Sequence, residues 1–170
     1  MQRSEEAPQT AIRMSGMTFA AVDRYQDLVY RTALTVTGNV PDAEDVMQEV
    51  FFRYFRSHPV FESETHERAW LIRVTVNTGR NLLRSAWRRK RVDFDPELLV
   101  QSEEQSRDSR VLRAVMALPE KYRIAIYLYY YEEYSIREIA ELTEQSESAV
   151  SQQLSRGRRK LRSKLGGAKA

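Results

Sequence analysis

The sequence predicts an all-α chain built as two small helical bundles joined by a flexible acidic linker. Three observations carry that reading. Apolar residues recur at three- and four-residue steps through most of the 170 residues. No stretch alternates apolar and polar residues as a strand does. A block of acidic residues without sustained periodicity, Asp93 to Asp108, interrupts the helical pattern.

Residues 1–15 are polar and unpatterned and read as a disordered tail. Phe19, Val22, Tyr25, Val29, Ala33 and Val36 then mark a first helix ending near Gly38 and Asn39. Pro41 opens a second helix whose first turn carries Asp42, Glu44 and Asp45, where the helix dipole favours anions. The polar loop "SHPVFESETHE" precedes a long helix from about Arg68 to Arg91. After the acidic linker, residues 93–108, the stretch "RVLRAVMALPEKYRIAIYLYYYEEYS" reads as a short helix, a break at Pro119 and a tyrosine-rich helix. Two more helices follow, joined by "TEQS". The expected division is a first domain over 16–92, the linker, a second domain over 109–165 and a short tail over 166–170.

Composition narrows the function. With no cysteine there are no disulfides, thiolate metal sites or thiol nucleophiles. His58 and His66 stand in a polar stretch without metal-ligand spacing, and no glycine-rich phosphate loop is present. An enzyme is therefore not expected, nor is any cofactor or metal. No run approaches the roughly 20 apolar residues of a membrane span, and the N-terminus lacks the succession of a secretion signal, so a cytoplasmic location without membrane insertion is expected.

The net charge of +3 is modest, but its distribution is segregated. Arg68 to Arg91 holds eight basic residues and no acid; Ser148 to the end holds seven and no acid; the linker holds six acids against one arginine. Two surfaces for a polyanion, separated by an acidic connector, are implied.

On the long third helix, Arg73, Asn77, Arg80, Arg84, Arg88 and Arg91 fall in one sector of roughly 80° at 100° per residue. Leu71, Val74, Thr78, Leu82 and Leu83 occupy the other side and can enter a core. A one-sign arginine stripe is costly unless something anionic meets it, and arginine's planar fork suits phosphate while asparagine can read a base edge. A merely solvated basic face is the competing reading.

On the second helix Ala43, Val46, Met47, Val50 and Tyr54 share an inward arc, leaving Phe52 and Phe55 among Glu44, Asp45, Gln48 and Glu49. Aromatic anchors among carboxylates suit a protein-binding surface; cover by another helix or by the long loop is an equal alternative. In the last pair of helices, Ser135 and Glu138 form an S-x-x-E capping box ahead of an apolar stripe of Ile136, Ile139, Ala140 and Leu142. The spacing to the next helix is that of a helix-turn-helix. Val150, Leu154, Leu161 and Leu165 line its inner side, which leaves Gln152, Ser155 and Arg156 to reach bases and Arg158, Arg159, Lys160 and Arg162 to meet phosphates. A basic helix for a membrane surface or a partner protein is the alternative there.

The segments "DAEDVMQEVFFRYF", "AWLIRVTVNTGRNLLRSAWRRKR", "ALPEKYRIAIYLYYYEEYSIREIAEL" and "SAVSQQLSRGRRKL", in this order, resemble a bacterial RNA polymerase sigma factor of the extracytoplasmic-function (ECF, sigma-70 family) group. The resemblance covers about residues 19–165. It implies a sigma2-like bundle that binds the polymerase clamp and the −10 element, and a sigma4-like helix-turn-helix bundle that binds the polymerase flap and the −35 element. It also implies that the middle domain of larger relatives is replaced by the linker. The partners implied are core RNA polymerase, promoter DNA both double-stranded and melted, and, for many members, an anti-sigma factor.

Carried over by residue, Asp42, Glu44, Asp45, Gln48 and Glu49, with Phe52 beside them, are the implied polymerase contacts. Arg73, Asn77, Arg80, Asn81, Arg84, Arg88 and Arg91 are the −10 side, and Ser151, Gln152, Ser155, Arg156, Arg158 and Arg159 the −35 side. The loop from Phe61 to Glu67 falls where the family captures a flipped base; Trp70 and Trp87 are available for stacking, with a core place favoured for Trp70. Two departures matter. Many relatives read "TVKSRLxRAR" in the recognition helix, whereas this one lacks the early Lys and Arg, so readout falls to Gln152 and Arg156; and Asn81 stands where relatives often have Asp. Sixteen linker residues extend to roughly 50 Å at about 3.3 Å each, enough to hold two domains on separated promoter elements. The rival function is a helix-turn-helix regulator that binds operator DNA by itself.

Overall fold

The computed structural model describes residues 7–87 and 107–166. These form seven helices and, among the described residues, no strand. In the first bundle α1 (Ala7–Thr37), α2 (Val40–Ser57) and α3 (Glu64–Trp87) pack on one another. The second bundle consists of α4 (Arg107–Met116), α5 (Glu120–Tyr130), α6 (Ile136–Thr143) and α7 (Glu147–Gly166). Apart from its last two residues, the expected linker lies outside the described residues, as do Arg88 and Arg91.

Local chemistry sets the helix ends. Gly38 takes φ 78° and turns the chain between α1 and α2, and Asn39 caps α2 by accepting from the Asp42 N–H at 2.9 Å while its amide donates to the Asp42 carboxylate at 2.7 Å. Helix α3 starts at Glu64, four residues before the expected position, because the Ser63 hydroxyl caps it by accepting from the His66 N–H at 3.1 Å. Pro119 sits just before α5, where its missing N–H costs nothing. Helix α1 begins at Ala7, so the part of the expected disordered tail from 7 to 15 is helical.

The buried stripes follow the predicted spacing with specific exceptions. Tyr25, Val29, Ala33 and Val36 of α1 pack against Ala43, Val46 and Val50 of α2 and Leu71, Ile72 and Val76 of α3. Phe19, expected in the stripe, is 66% exposed. Gly79 lets α3 approach the end of α1, and Gly157 does the same for α7 on α5, where a Cβ would lie 3.1 Å from Ile126 Cγ1. In the tyrosine-rich stretch Tyr127 is buried, whereas Tyr130 and Tyr131 are exposed. The two bundles are not separate: α5 lies on α1 and α6 on α3, so one buried cluster runs through both.

Candidate nucleic-acid interface

The capping box forms as predicted. The Ser135 hydroxyl accepts from the Glu138 N–H at 3.2 Å, and the Glu138 carboxylate accepts from the Ser135 N–H at 2.8 Å. The turn after α6 has no glycine, so Glu144 itself takes the left-handed conformation at φ 55°, and its N–H bonds to the Ala140 carbonyl. Ser146 then caps α7 by accepting from the Ala149 N–H at 3.1 Å. Val150, Leu154 and Gly157 are buried against α5 and α6, which leaves Ser151, Gln152, Ser155, Arg156, Arg158 and Arg159 exposed. Arg158 also donates to the Tyr130 hydroxyl at 3.3 Å, and Arg156, with Lys121 and Lys160 nearby, holds the Tyr122 phenol below its ordinary range.

On α3 the described part of the arginine stripe is exposed or half-buried: Arg73, Asn77, Arg80, Asn81 and Arg84. Arg84 donates to the Asn81 side chain at 3.0 Å, so the two act as a unit. Two stripe members are engaged by the second bundle. Arg80 pairs with Glu120 at 2.8 Å and reaches the Thr143 carbonyl at 3.4 Å, and Arg73 donates to the Glu141 carbonyl at 3.3 Å. No sequence pattern announced these contacts.

Beside this face, loop 58–63 carries Phe61 onto an aromatic cluster. Its ring lies 6.1 Å from Tyr54, 5.5 Å from His66 and 5.7 Å from Trp70, centroid to centroid. Trp70 is half-buried there, at the edge of the core. Glu67 is already committed, accepting from the Tyr25 hydroxyl at 3.0 Å and the Tyr54 hydroxyl at 2.5 Å; burial and this carboxylate together push the Tyr54 phenol well up.

Along α2, Glu44, Asp45 and Gln48 are exposed, Asp42 and Glu49 half-buried, and Phe52 is 58% exposed. Phe55 is not part of that face: it is half-buried and stacks on the buried Phe51 with centroids 6.3 Å apart. A second apolar feature went unpredicted. Val111, Val115, Ile126, Tyr131, Leu161 and Leu165 line a groove of about 500 Å³ between α4, α5 and α7, with Arg158 and Arg162 among its walls.

Residues 21–89 match the family described as Sigma-70 region 2, and residues 108–161 the family described as Sigma-70, region 4. The chain is 30% identical over 165 residues to the ECF RNA polymerase sigma-E factor of Escherichia coli K12, covering 85% of this chain and 84% of that protein. It belongs to the ECF sigma factors. It is also 29% identical over 163 residues to the ECF RNA polymerase sigma factor SigW of Bacillus subtilis, covering 85% of this chain and 86% of that one. Against SigE of Mycolicibacterium smegmatis the identity is 35% over 157 residues, spanning 85% of this chain and 60% of that relative.

Among solved structures, CnrH in complex with the cytosolic domain of CnrY matches this ECF sigma factor with a TM-score of 0.61 at 27% identity, covering 94% of this chain and 96% of that one. The sigma factor RpoE of Bartonella quintana, solved with the anti-sigma factor NepR, shares the fold, with a TM-score of 0.69 at 18% identity over 86% of this chain and 95% of that one. As an ECF sigma factor the chain binds RNA polymerase and directs transcription initiation at promoters; it is not a stand-alone regulator. No helix among the described residues is long and apolar enough to cross a membrane.

Proposed function

We propose that this sigma factor divides the promoter between its two bundles, with α1–α3 as the sigma2 domain on the −10 element and α4–α7 as the sigma4 domain on the −35 element. The observation that carries this reading is the construction of α7. Val150 and Leu154 anchor it, and Ser151, Gln152, Ser155 and Arg156 form an exposed row at its N-terminal half, the part that a helix-turn-helix inserts into the major groove. Gln152 reads a base edge, adenine being its bidentate partner, and Arg158 and Arg159 hold phosphates. On the −10 side Arg73, Asn77, Arg80, Asn81 and Arg84 meet the melted strand, continued by Arg88 and Arg91, and the Phe61 to Glu67 segment borders the captured base. Glu67 is held by two tyrosines and the Ser63 hydroxyl by the cap of α3, so the exposed Glu62 is offered as a polar contact of this segment.

Polymerase is held at two places. The outer face of α2, with Glu44, Asp45, Gln48, Glu49 and Phe52, and Asp42 at its start, meets the clamp, and the apolar groove between α4, α5 and α7 meets the flap. The factor works in the cytoplasm, catalyses no reaction itself, and is open to control by an anti-sigma factor. Permanganate footprinting of promoter complexes tests the division. With core polymerase and wild-type protein, thymines of the −10 region become reactive. Arg84→Ala should lose that reactivity while DNase protection over the −35 region persists; loss of both together would contradict the division.

A further inference from the structure

We infer that Tyr122 of α5 is a positioning residue for −35 readout: from beneath α7 its hydroxyl fixes the direction of the Arg156 guanidinium, so that base discrimination by α7 depends on a residue outside the helix-turn-helix. The inference rests on the assignment of α7 to the −35 element made above and adds to it a side chain that touches no base.

Tyr122 lies in the first turn of α5 and is only 8% exposed. Helix α7 packs over it at Gly157, where the missing side chain admits the tyrosine: a Cβ there would lie 3.4 Å from Tyr122 Cβ. Arg156, the residue before that glycine, is exposed, and its guanidinium donates to the Tyr122 hydroxyl. Lys160, one turn further along α7, has its Nζ 5.9 Å from the ring centroid, and Lys121 of α5 has its own at 5.2 Å. Arg156, Lys160 and Lys121 therefore gather around one neutral ring.

No carboxylate competes for this arginine. Among the described residues Arg156, Lys121 and Lys160 form no ion pair, and Glu120, the acid beside Lys121, is paired with Arg80 at 2.8 Å. A phenol oxygen facing cations from both helices serves as an acceptor, and the same cations hold its pKa below the ordinary range. An exposed arginine gives up rotamer freedom when it grips a base, and one whose planar fork is already oriented gives up less. One N–H on Tyr122 leaves the rest of the fork for a bidentate contact. A carboxylate in that place would also orient the arginine but would cancel the charge turned toward DNA; a hydroxyl orients it and leaves the charge whole.

The test is binding of the polymerase holoenzyme to promoter duplexes that differ at one −35 base pair at a time, for wild type, Tyr122→Phe, Arg156→Ala and the double variant. Tyr122→Phe keeps the ring beneath Gly157 and removes the hydroxyl alone. Arg156→Ala should lose discrimination on the order of tenfold at one base pair. Tyr122→Phe should lose about threefold to tenfold at that same base pair, with the others unchanged. In the Arg156→Ala background Tyr122→Phe should add nothing, as a residue acting through the arginine requires. Full discrimination by Tyr122→Phe, binding weakened equally for every sequence, or an equal further loss in the Arg156→Ala background would overturn the positioning role and leave the −35 assignment standing. Unchanged preference at every base pair in Arg156→Ala would overturn readout by Arg156, and the positioning role with it.

Discussion

Gly79 of α3 lies against Val36 of α1 so closely that a Cβ at Gly79 would sit 2.6 Å from Val36 Cγ1 and 3.1 Å from Val36 Cβ. Valine is stiff at χ1, and Val36 is fully buried with its carbonyl held by Arg123, so the neighbour has little room to yield. Gly79→Ala should destabilise the fold by about 1–3 kcal/mol through overpacking. Thermal unfolding followed by circular dichroism measures this, and an unchanged midpoint would show that the α1–α3 contact is looser than described.

Phe52 and Phe55 should separate binding from stability. Phe55 stacks on Phe51 and meets Tyr54 edge-on, so Phe55→Ala should cost about 2 kcal/mol of stability. Phe52 is exposed among carboxylates, so Phe52→Ala should leave stability within about 0.5 kcal/mol and weaken core polymerase binding by more than about 1 kcal/mol. Titration of labelled protein with core polymerase reads the second effect.

On α7, Gln152 and Arg159 are assigned different work. Gln152→Ala should lose about 1–3 kcal/mol of discrimination at one base pair of the −35 element. Arg159→Ala should weaken binding to every sequence and lower the slope of log K against log salt by about one. Binding of the polymerase holoenzyme to a set of single-base variants at several salt concentrations distinguishes the two patterns.

The capping box makes a pH-dependent contribution. Hydrogen bonds from the Ser135 hydroxyl and backbone N–H hold the Glu138 carboxyl below its ordinary range. A carboxyl depressed in the folded state stabilises above its unfolded pKa and loses that contribution as pH falls through its folded pKa. Ser135→Ala should therefore cost about 1 kcal/mol at neutral pH, and the gap from wild type should narrow in acid. Denaturant unfolding at neutral and acidic pH checks both parts.

Local chemistry was legible and long-range contact was not. The seven helices, the Pro119 break, the Ser135 and Glu138 capping box and the two faces of α7 all follow from spacing within a few turns, and periodicity reads that directly. The start of α1 escaped because periodicity measures amphipathic burial and is blind to a polar stretch that continues a helix. The interface between the bundles escaped for another reason. Arg80 and Glu120 are 40 residues apart, and Arg123 and Thr35 are 88, so nothing local to either member marks the pair. The same one-sign stripe on α3 that suits DNA also suits the end of α6, and only the folded chain distinguishes a face that is free from one already met.

The most direct test of the central claim is run-off transcription with purified core polymerase over a promoter library, comparing wild type with Gln48→Ala on the α2 face and Arg84→Ala on the α3 face. Specific transcripts with wild type, reduced by Gln48→Ala through weaker polymerase binding and by Arg84→Ala through weaker promoter opening, are expected. Full activity in both variants would contradict the assignment of these faces, and the absence of any core-dependent transcript with wild type would contradict the account as a whole.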